Sequence, residues 1–442
     1  MDFELIILGA GAAGMMAAVA FGEERLAELT PTPRMAILEK NARPGIKVLV
    51  CGGGRCNLTN AGSQEFLIRQ FGRNGRFLTP ALRHFDNDAL RAWFAARGVP
   101  THEEHDGKIY PDSNQAKSVV DALAARMAEL GVASFAGPGC AAAAVRKLAA
   151  DEPDAPGFAV SLADGRTLST RLLLLTVGGQ SYTRMGTTGD GYRFAQALGH
   201  TIVTPRPAIV PLLCQQAWVA ECQGVAVEDV EVRIEAPGPL PRLATGKPTP
   251  SINDLMFTHF GLSGPAVLNI SEIVAELLER FDVITLRVDL LRHRSREQLA
   301  AEMRQWQSAC GRRLPRTMLA GLIPQRLADV LCRLAGIGET QTCAVLTAAQ
   351  MHHLIESLKS LRFTVHQTRG FKEAMVTAGG VSLAEVNPDT MESRVCPGLF
   401  IAGEVLDLTG PSGGYNLQLA FSTGRLAGVN IARLLVAATH GA

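Results

Sequence analysis

The chain has 442 residues and a mass of 47.1 kDa, long enough for about three domains of ordinary size. With 43 basic residues against 42 acidic, a net charge of +1 and no run of five like charges, composition speaks against a nucleic-acid or membrane-surface partner. Hydrophobic residues at 47% and 44 glycines exclude a disordered or fibrous chain. The nine cysteines are odd in number and scattered, which argues against a secreted disulfide framework and for a reducing cytoplasm. Residues 5–22 carry no charge, but Asp2 and Glu4 precede them and Gly9, Gly11 and Gly14 interrupt them, so neither a signal peptide nor a membrane span is expected there.

In chain order, Leu5–Leu8 predicts a strand, residues 15–29 an alanine-rich helix and residues 35–38 a second strand, which together make a βαβ unit with a connection lengthened by Thr30-Pro31-Thr32-Pro33. Residues 172–177 predict a buried strand ending at Gly178-Gly179, and Gly189-Asp190-Gly191 opens a helix to Leu198. Strands alternating with helices imply a parallel sheet. From 201 to 289 the texture changes to proline clusters (205, 207, 211, 237, 239, 241) and alternating segments such as Val230–Ile234, which read as an inserted antiparallel unit. Helical patterns follow at 297–310, 315–322, 324–334 and 348–358. After Phe363 the sheet texture returns, with a strand at 398–403 and a last helix from about Tyr415. The expected division is 1–200 for the first domain, 201–290 for the β-rich insertion, 291–361 for a helical subdomain and 362–442 for the part that completes the first domain.

Gly9-Ala10-Gly11-Ala12-Ala13-Gly14 fits G-x-G-x-x-G between a strand and a helix, the context a dinucleotide turn requires. The first glycine makes the turn, the second lets backbone approach a pyrophosphate, and the third permits close helix packing, while the helix N-terminus stabilises the anion. Glu39, at the end of the second strand, suits an adenosine ribose. NAD and FAD present the same groups to this turn, so the C-terminal segment decides. Gly403-Glu404 at a late strand end can meet the ribityl and pyrophosphate part of FAD. Gly410-Pro411-Ser412-Gly413-Gly414-Tyr415-Asn416, before a helix, offers N–H groups to a reduced flavin. The cofactor expected is FAD.

Several stretches resemble the YhiN/BaiN-like flavoprotein family, also described as aminoacetone-oxidase-like FAD-binding enzymes. They are Gly52-Gly53-Gly54-Arg55-Cys56-Asn57-Leu58-Thr59-Asn60, Gly178–Tyr182 with Gly186–Tyr192, Thr258-His259-Phe260-Gly261-Leu262-Ser263-Gly264-Pro265 and its neighbour Phe257, and Val376 to Gly428 nearly throughout. The resemblance implies an α/β fold, with a Rossmann-like FAD-binding domain built from both chain ends, an inserted β-barrel-like domain and a small helical subdomain. It further implies FAD contacts from Gly9, Gly11, Ala12, Ala13 and Gly14, and from Glu39, Lys40 and Lys47. Further implied contacts are Gly53, Gly54, Arg55, Cys56 and Asn57, a position near Cys140, then Thr176, Val177 and Gly178, and finally Gly403, Glu404, Gly414, Tyr415, Asn416 and Leu417. Arg55 is chemically apt for the pyrophosphate. Family precedent covers reduction of activated carbon–carbon double bonds and oxidation of a small amino-ketone. The expected partner is therefore a small-molecule substrate.

Cys51 stands where the family resemblance leads one to expect serine or another small residue, and Cys51-x4-Cys56 has the spacing of a redox dithiol, so a disulfide reductase is an alternative, as is a non-catalytic flavin-binding protein. A second G-x-G-x-x-G after a later strand is missing, so NADH or NADPH, as co-substrate, is expected to share the substrate site. His259 is the acid–base candidate by chemical type, against a packed histidine beside phenylalanines. Ser263 is a second catalytic candidate, either touching substrate or capping a helix near Pro265. His102 and His105 lack zinc-site spacing, and no metal is expected.

Overall fold

The computed structural model describes residues 1–27, 34–149, 157–236, 238, 240 and 250–440. The connection at residues 30–33 and the prolines at 237, 239 and 241 lie outside them. Two units emerge, one joining Met1–Arg206 to Met375–Ala442 and the other spanning Pro207–Leu243 and Lys247–Ala374.

The first unit is built on a seven-stranded sheet. Phe3–Leu8 lies parallel to Met35–Glu39 on one side and to Thr167–Leu175 on the other. Ala133–Ala136 continues the parallel order beyond Met35–Glu39, and Leu399–Ile401 pairs in parallel with the end of Thr167–Leu175. Leu5 and Ile7 enter one hydrophobic cluster while Ile6 and Leu8 enter another, and all four are buried. Successive side chains of a strand point to opposite faces, so a strand covered on both sides has to be an unbroken apolar run.

The helix Ala12–Ala27 leaves the first strand and packs against the last helix, Tyr415–His440. Contact is backbone-close because a Cβ on Gly424 would lie 2.3 Å from the Ala13 carbonyl oxygen, and one on Gly428 would lie 2.3 Å from that of Ala17. The C-terminus therefore completes the domain that the N-terminus begins, as the sequence implies.

The second unit contains a closed barrel with the strand order Leu212–Cys214, Gly261–Ser263, Ser251–Phe257, Ala226–Glu235, Ile284–Asp289, Leu361–Thr368. Val230, Val232 and Ile234 are buried, as the alternation requires. The last strand departs from the expected division at 361/362, because Leu361–Thr368 pairs with Ile284–Asp289 and Leu212–Cys214 and closes the barrel. Return to the first unit comes only at Met375. Helices Arg296–Ala309, Pro315–Leu319, Gln325–Leu334 and Ala348–Lys359 follow the sequence pattern closely, two of them opened by capping boxes at Ser295 and Thr347. Leu299, Met303, Leu331 and Leu354 share one core with the barrel's Leu286 and Phe363, so these helices belong to the barrel unit.

Candidate functional site

A cavity in the first unit opens over the turn that follows Leu8. Gly9 has φ 96°, and a Cβ there would stand 2.7 Å from the Thr176 carbonyl oxygen. A Cβ on Gly14 would come within 1.9 Å of the Gly9 carbonyl oxygen, so the third glycine is fixed by helix packing. Gly11 differs from both, because a Cβ there would meet nothing within 4 Å and Gly11 itself lines the cavity. The backbone at Gly11, Ala12 and Ala13 thus faces open space at a helix N-terminus, where the first N–H groups have no partner inside the helix. Such a cradle fits a pyrophosphate.

Glu39 is 8% exposed and lines the same cavity. Its carboxylate accepts from the Ala10 N–H at 3.0 Å, and from the Asn41 N–H and Nδ2 at 2.8 Å each. A carboxylate has about four lone-pair sites, so acceptor capacity remains for a diol. Asn41, which sequence reasoning passed over, also donates to the Met185 carbonyl at 3.1 Å and so ties this side of the cavity to the loop after Ser181. Lys40 donates to Asp190 at 2.6 Å and to Thr188 at 2.7 Å. Burial alone would raise the Asp190 carboxyl, but the hydrogen bonds it accepts from Lys40 and from the Thr188 hydroxyl outweigh burial and hold the group below its ordinary range.

Deeper along the lining, Lys47 pairs with Glu404 at 2.5 Å and donates to Ser181 at 2.7 Å. The other Glu404 oxygen accepts from Ser181 Oγ at 2.8 Å and from the Thr377 N–H at 3.0 Å. Four chain segments therefore converge on one charged pair. Thr176, Val177, Gly178, Asn416 and Leu417 complete the part of the lining that the sequence nominates. The Asn416 side chain accepts from the Gly410 N–H at 2.9 Å and donates to its carbonyl at 2.8 Å, which fixes the glycine loop before the last helix.

Other nominated residues serve elsewhere. Gly14, Gly403 and Gly414 are packing positions, with a Cβ on Gly403 falling 2.8 Å from Ala13 Cβ and one on Gly414 falling 2.3 Å from the Thr59 carbonyl oxygen. Cys140 is two residues from Ala142, which lines the cavity in its place, and accepts at 3.8 Å from Arg166. Gly53, Gly54, Arg55, Cys56 and Asn57 are absent from the lining. Arg55 binds Glu104, donates to Asn114 at 2.8 Å and stacks 4.2 Å over the Tyr110 ring, so its guanidinium already has partners within the protein. Asn57, with its amide oriented by its neighbours, accepts from the Gly414 N–H at 3.1 Å. Tyr415 is buried beside Phe66, and burial pushes its phenol up to about 12.

The two thiols sit in different surroundings, Cys51 half-exposed and Cys56 buried. Burial pushes Cys51 up to about 11 and Cys56, which is fully buried, well above its ordinary value. A redox dithiol needs an accessible thiolate, and burial disfavours it at both positions. Cys51 alone lines the cavity, donating to the Lys47 carbonyl at 3.3 Å.

His259 and Ser263 belong to the second unit. His259 is exposed on the turn between Ser251–Phe257 and Gly261–Ser263, with its ring edge-on to Phe260 at 4.8 Å, so it is not a packed core histidine. Ser263 does not cap the helix at Pro265. The cap position is Gly264, and Ser263 is a buried strand residue, because the barrel strand runs through it. Among the described residues no group of His, Cys, Asp and Glu has metal-site geometry, and no helix is long and apolar enough to cross a membrane.

Residues 3–430 match the family model described as HI0933-like protein Rossmann domain. The chain belongs to this family. It is accordingly a flavoprotein oxidoreductase with a Rossmann-like FAD-binding domain, in agreement with the resemblance read from its motifs. It is 32% identical over 422 residues to the 3-dehydro-bile acid delta(4,6)-reductase of Clostridium scindens, covering 96% of this chain and 97% of that protein. It is 31% identical over 424 residues to the ribosomal RNA dihydrouridine synthase of Escherichia coli K12, covering 95% and 96%. A solved structure of 3-ketosteroid-delta4-(5alpha)-dehydrogenase from Rhodococcus jostii RHA1 overlaps with a TM-score of 0.49 at 13% identity, covering 97% of this chain and 96% of that one. The exclusion of nucleic acid drawn from net charge finds no support here, since two relatives are named for ribosomal RNA.

Proposed function

We propose that this family member reduces a carbon–carbon double bond activated by a neighbouring carbonyl, with FAD held in the glycine-turn cavity and NADH or NADPH as the electron donor. The observation that carries the cofactor assignment is the open cradle at Gly11 set between Glu39 and the Lys47–Glu404 pair. When bound, FAD would supply hydride chemistry at its N5 position. The reaction type rests on the two relatives, whose names share the addition of hydrogen across a carbon–carbon double bond.

The residues would divide the binding task by chemistry. N–H groups of Gly11, Ala12 and Ala13 would meet the pyrophosphate, and Glu39 would accept from the ribose hydroxyls. Lys47 and Glu404, each fixed by Ser181, would orient the ribityl side. Asn416 and Leu417 at the start of the last helix would place a positive helix end beside the flavin's carbonyl edge. In the overall balance the nicotinamide loses a hydride, the substrate's carbon distant from its carbonyl gains it, and the carbon next to the carbonyl takes a proton. By chemical type His259 is the proposed proton source, its imidazole exposed and without a hydrogen-bond partner among the described residues.

Anaerobic addition of NADH or NADPH to the FAD-loaded protein should bleach the flavin band, and an α,β-unsaturated ketone should restore it. Replacing His259→Ala should leave bleaching intact and slow the restoration by about 10²-fold. Bleaching by an amino-ketone, with no response to either nucleotide, would overturn the proposal in favour of an oxidase.

A further inference from the structure

Tyr182 stands beside the cavity in a backbone conformation that its side chain disfavours. It has φ 52° and ψ 54°, the left-handed region that glycine enters freely and a bulky residue rarely does. Such strain persists only where the surroundings impose it, and it collects at ligand clamps and active sites.

The surroundings are firm on both sides. Ser181 accepts from Lys47 at 2.7 Å and donates to Glu404 at 2.8 Å, which ties the residue before Tyr182 to the charged pair. The Met185 N–H donates to the Tyr182 carbonyl at 2.7 Å, and the Thr187 hydroxyl donates to the same carbonyl at 3.4 Å and to that of Ser181. Gly178 on one side of this loop and Met185, Gly186 and Thr187 on the other all line the cavity.

The side chain, by contrast, is left without a partner. Tyr182 is half-buried, yet its phenol makes no hydrogen bond and its ring no aromatic contact among the described residues. A phenol withdrawn from water ordinarily finds a hydrogen-bond partner. Burial pushes this one above its ordinary value, and the charge of the Cys51 thiolate adds to the shift, so the ring lies near Cys51. Cys51 in turn lines the cavity and donates to the Lys47 carbonyl. The loop therefore holds a flat, unpartnered ring, against its backbone preference, at the Lys47–Glu404 end of the lining.

We propose that the Tyr182 ring covers the flavin ring of FAD where it emerges past the Lys47–Glu404 pair. An aromatic side chain and a flat heterocycle gain by stacking, and the gain offsets the backbone strain. This contact rests on the cofactor placement given above, and it involves only the flavin half of the molecule.

The test is nitration of the flavin-free protein by tetranitromethane, read by mass spectrometry of the tyrosine peptides with and without ligand. Tyr110, Tyr192 and Tyr415 are buried, so among the chain's four tyrosines Tyr182 is the one open to the reagent. FAD should slow Tyr182 nitration to the rate of the buried three, whereas ADP, which carries the adenosine and pyrophosphate without the flavin, should leave it unchanged. Tyr182→Asn, which suits a left-handed backbone, should lose about 10-fold in FAD affinity and none in ADP affinity, with ADP binding reporting an intact fold. Full reactivity of Tyr182 in a chain saturated with FAD would overturn the contact and leave the cofactor placement standing. So would protection by ADP equal to that by FAD, or a wild-type FAD affinity in Tyr182→Asn. Failure of both FAD and ADP to bind would instead remove the cofactor placement, and this contact with it.

Discussion

The turn at Gly9–Gly14 and the run Gly52-Gly53-Gly54 each hold three glycines, yet only the first lines the cavity. In the first, each glycine has its own cause: a left-handed turn at Gly9, open space at Gly11 and a carbonyl in contact at Gly14. In the second, Gly53 has φ 67° and no neighbour within 4 Å of a Cβ, and the loop continues into Arg55, held by Glu104 and Tyr110. Glycine composition alone does not make a nucleotide site. A preceding strand and a following helix do, because they supply the buried anchor and the aligned N–H groups.

The sharpest way to break the comparison is Gly14→Ala. The methyl group would collide with the Gly9 carbonyl oxygen, and a loss of about 3 kcal/mol in unfolding free energy is expected from urea titration. Next comes Glu404→Ala, which leaves the Lys47 ammonium largely withdrawn from water without its counter-ion. A cost of about 3 kcal/mol at most, with weakened FAD binding by equilibrium titration, is the expected outcome. A normal FAD affinity there would remove the ribityl assignment.

A smaller effect separates the site from the scaffold. Burial pushes His200 below its ordinary value of 6.5, an effect that Glu385 at 3.1 Å only partly offsets. The folded chain therefore keeps His200 neutral at a pH where the unfolded chain has already taken up a proton. Stability should fall as pH drops below about 6.5 and level off below the folded value, and His200→Gln should flatten that slope in urea midpoints. Smallest of all, Arg55→Gln should keep both Tm and flavin content, since the guanidinium sits half-exposed outside the cavity. Loss of flavin in that variant would restore Arg55 to the pyrophosphate.

Much of the fold was legible because its signals are local. The apolar run Leu5–Leu8, the alternation Val230–Ile234 and the helices from 296 to 359 each show their period within a few residues. Long-range pairing has no such signal, which is why Leu361–Thr368 was expected in the first domain and instead closes the barrel on Leu212–Cys214. Short strands such as Thr59–Asn60 and Thr101–Glu103 carry too few residues for any period to be seen. Of the site, the glycine turn, Glu39 and Glu404 were readable from chemistry and spacing, whereas Asn41 and Asp190 act through partners about 150 residues away, at Met185 and Lys40.

The most direct test is the FAD content of Gly11→Leu beside Gly53→Ala, each purified, incubated with excess FAD and desalted. A Cβ at 11 meets nothing within 4 Å and Gly11 lines the cavity, so Gly11→Leu should fold with a near-native Tm and carry no flavin, while Gly53→Ala should carry one per chain. One tightly held flavin per chain in Gly11→Leu, with the wild-type visible spectrum, would contradict the placement of the cofactor in this cavity.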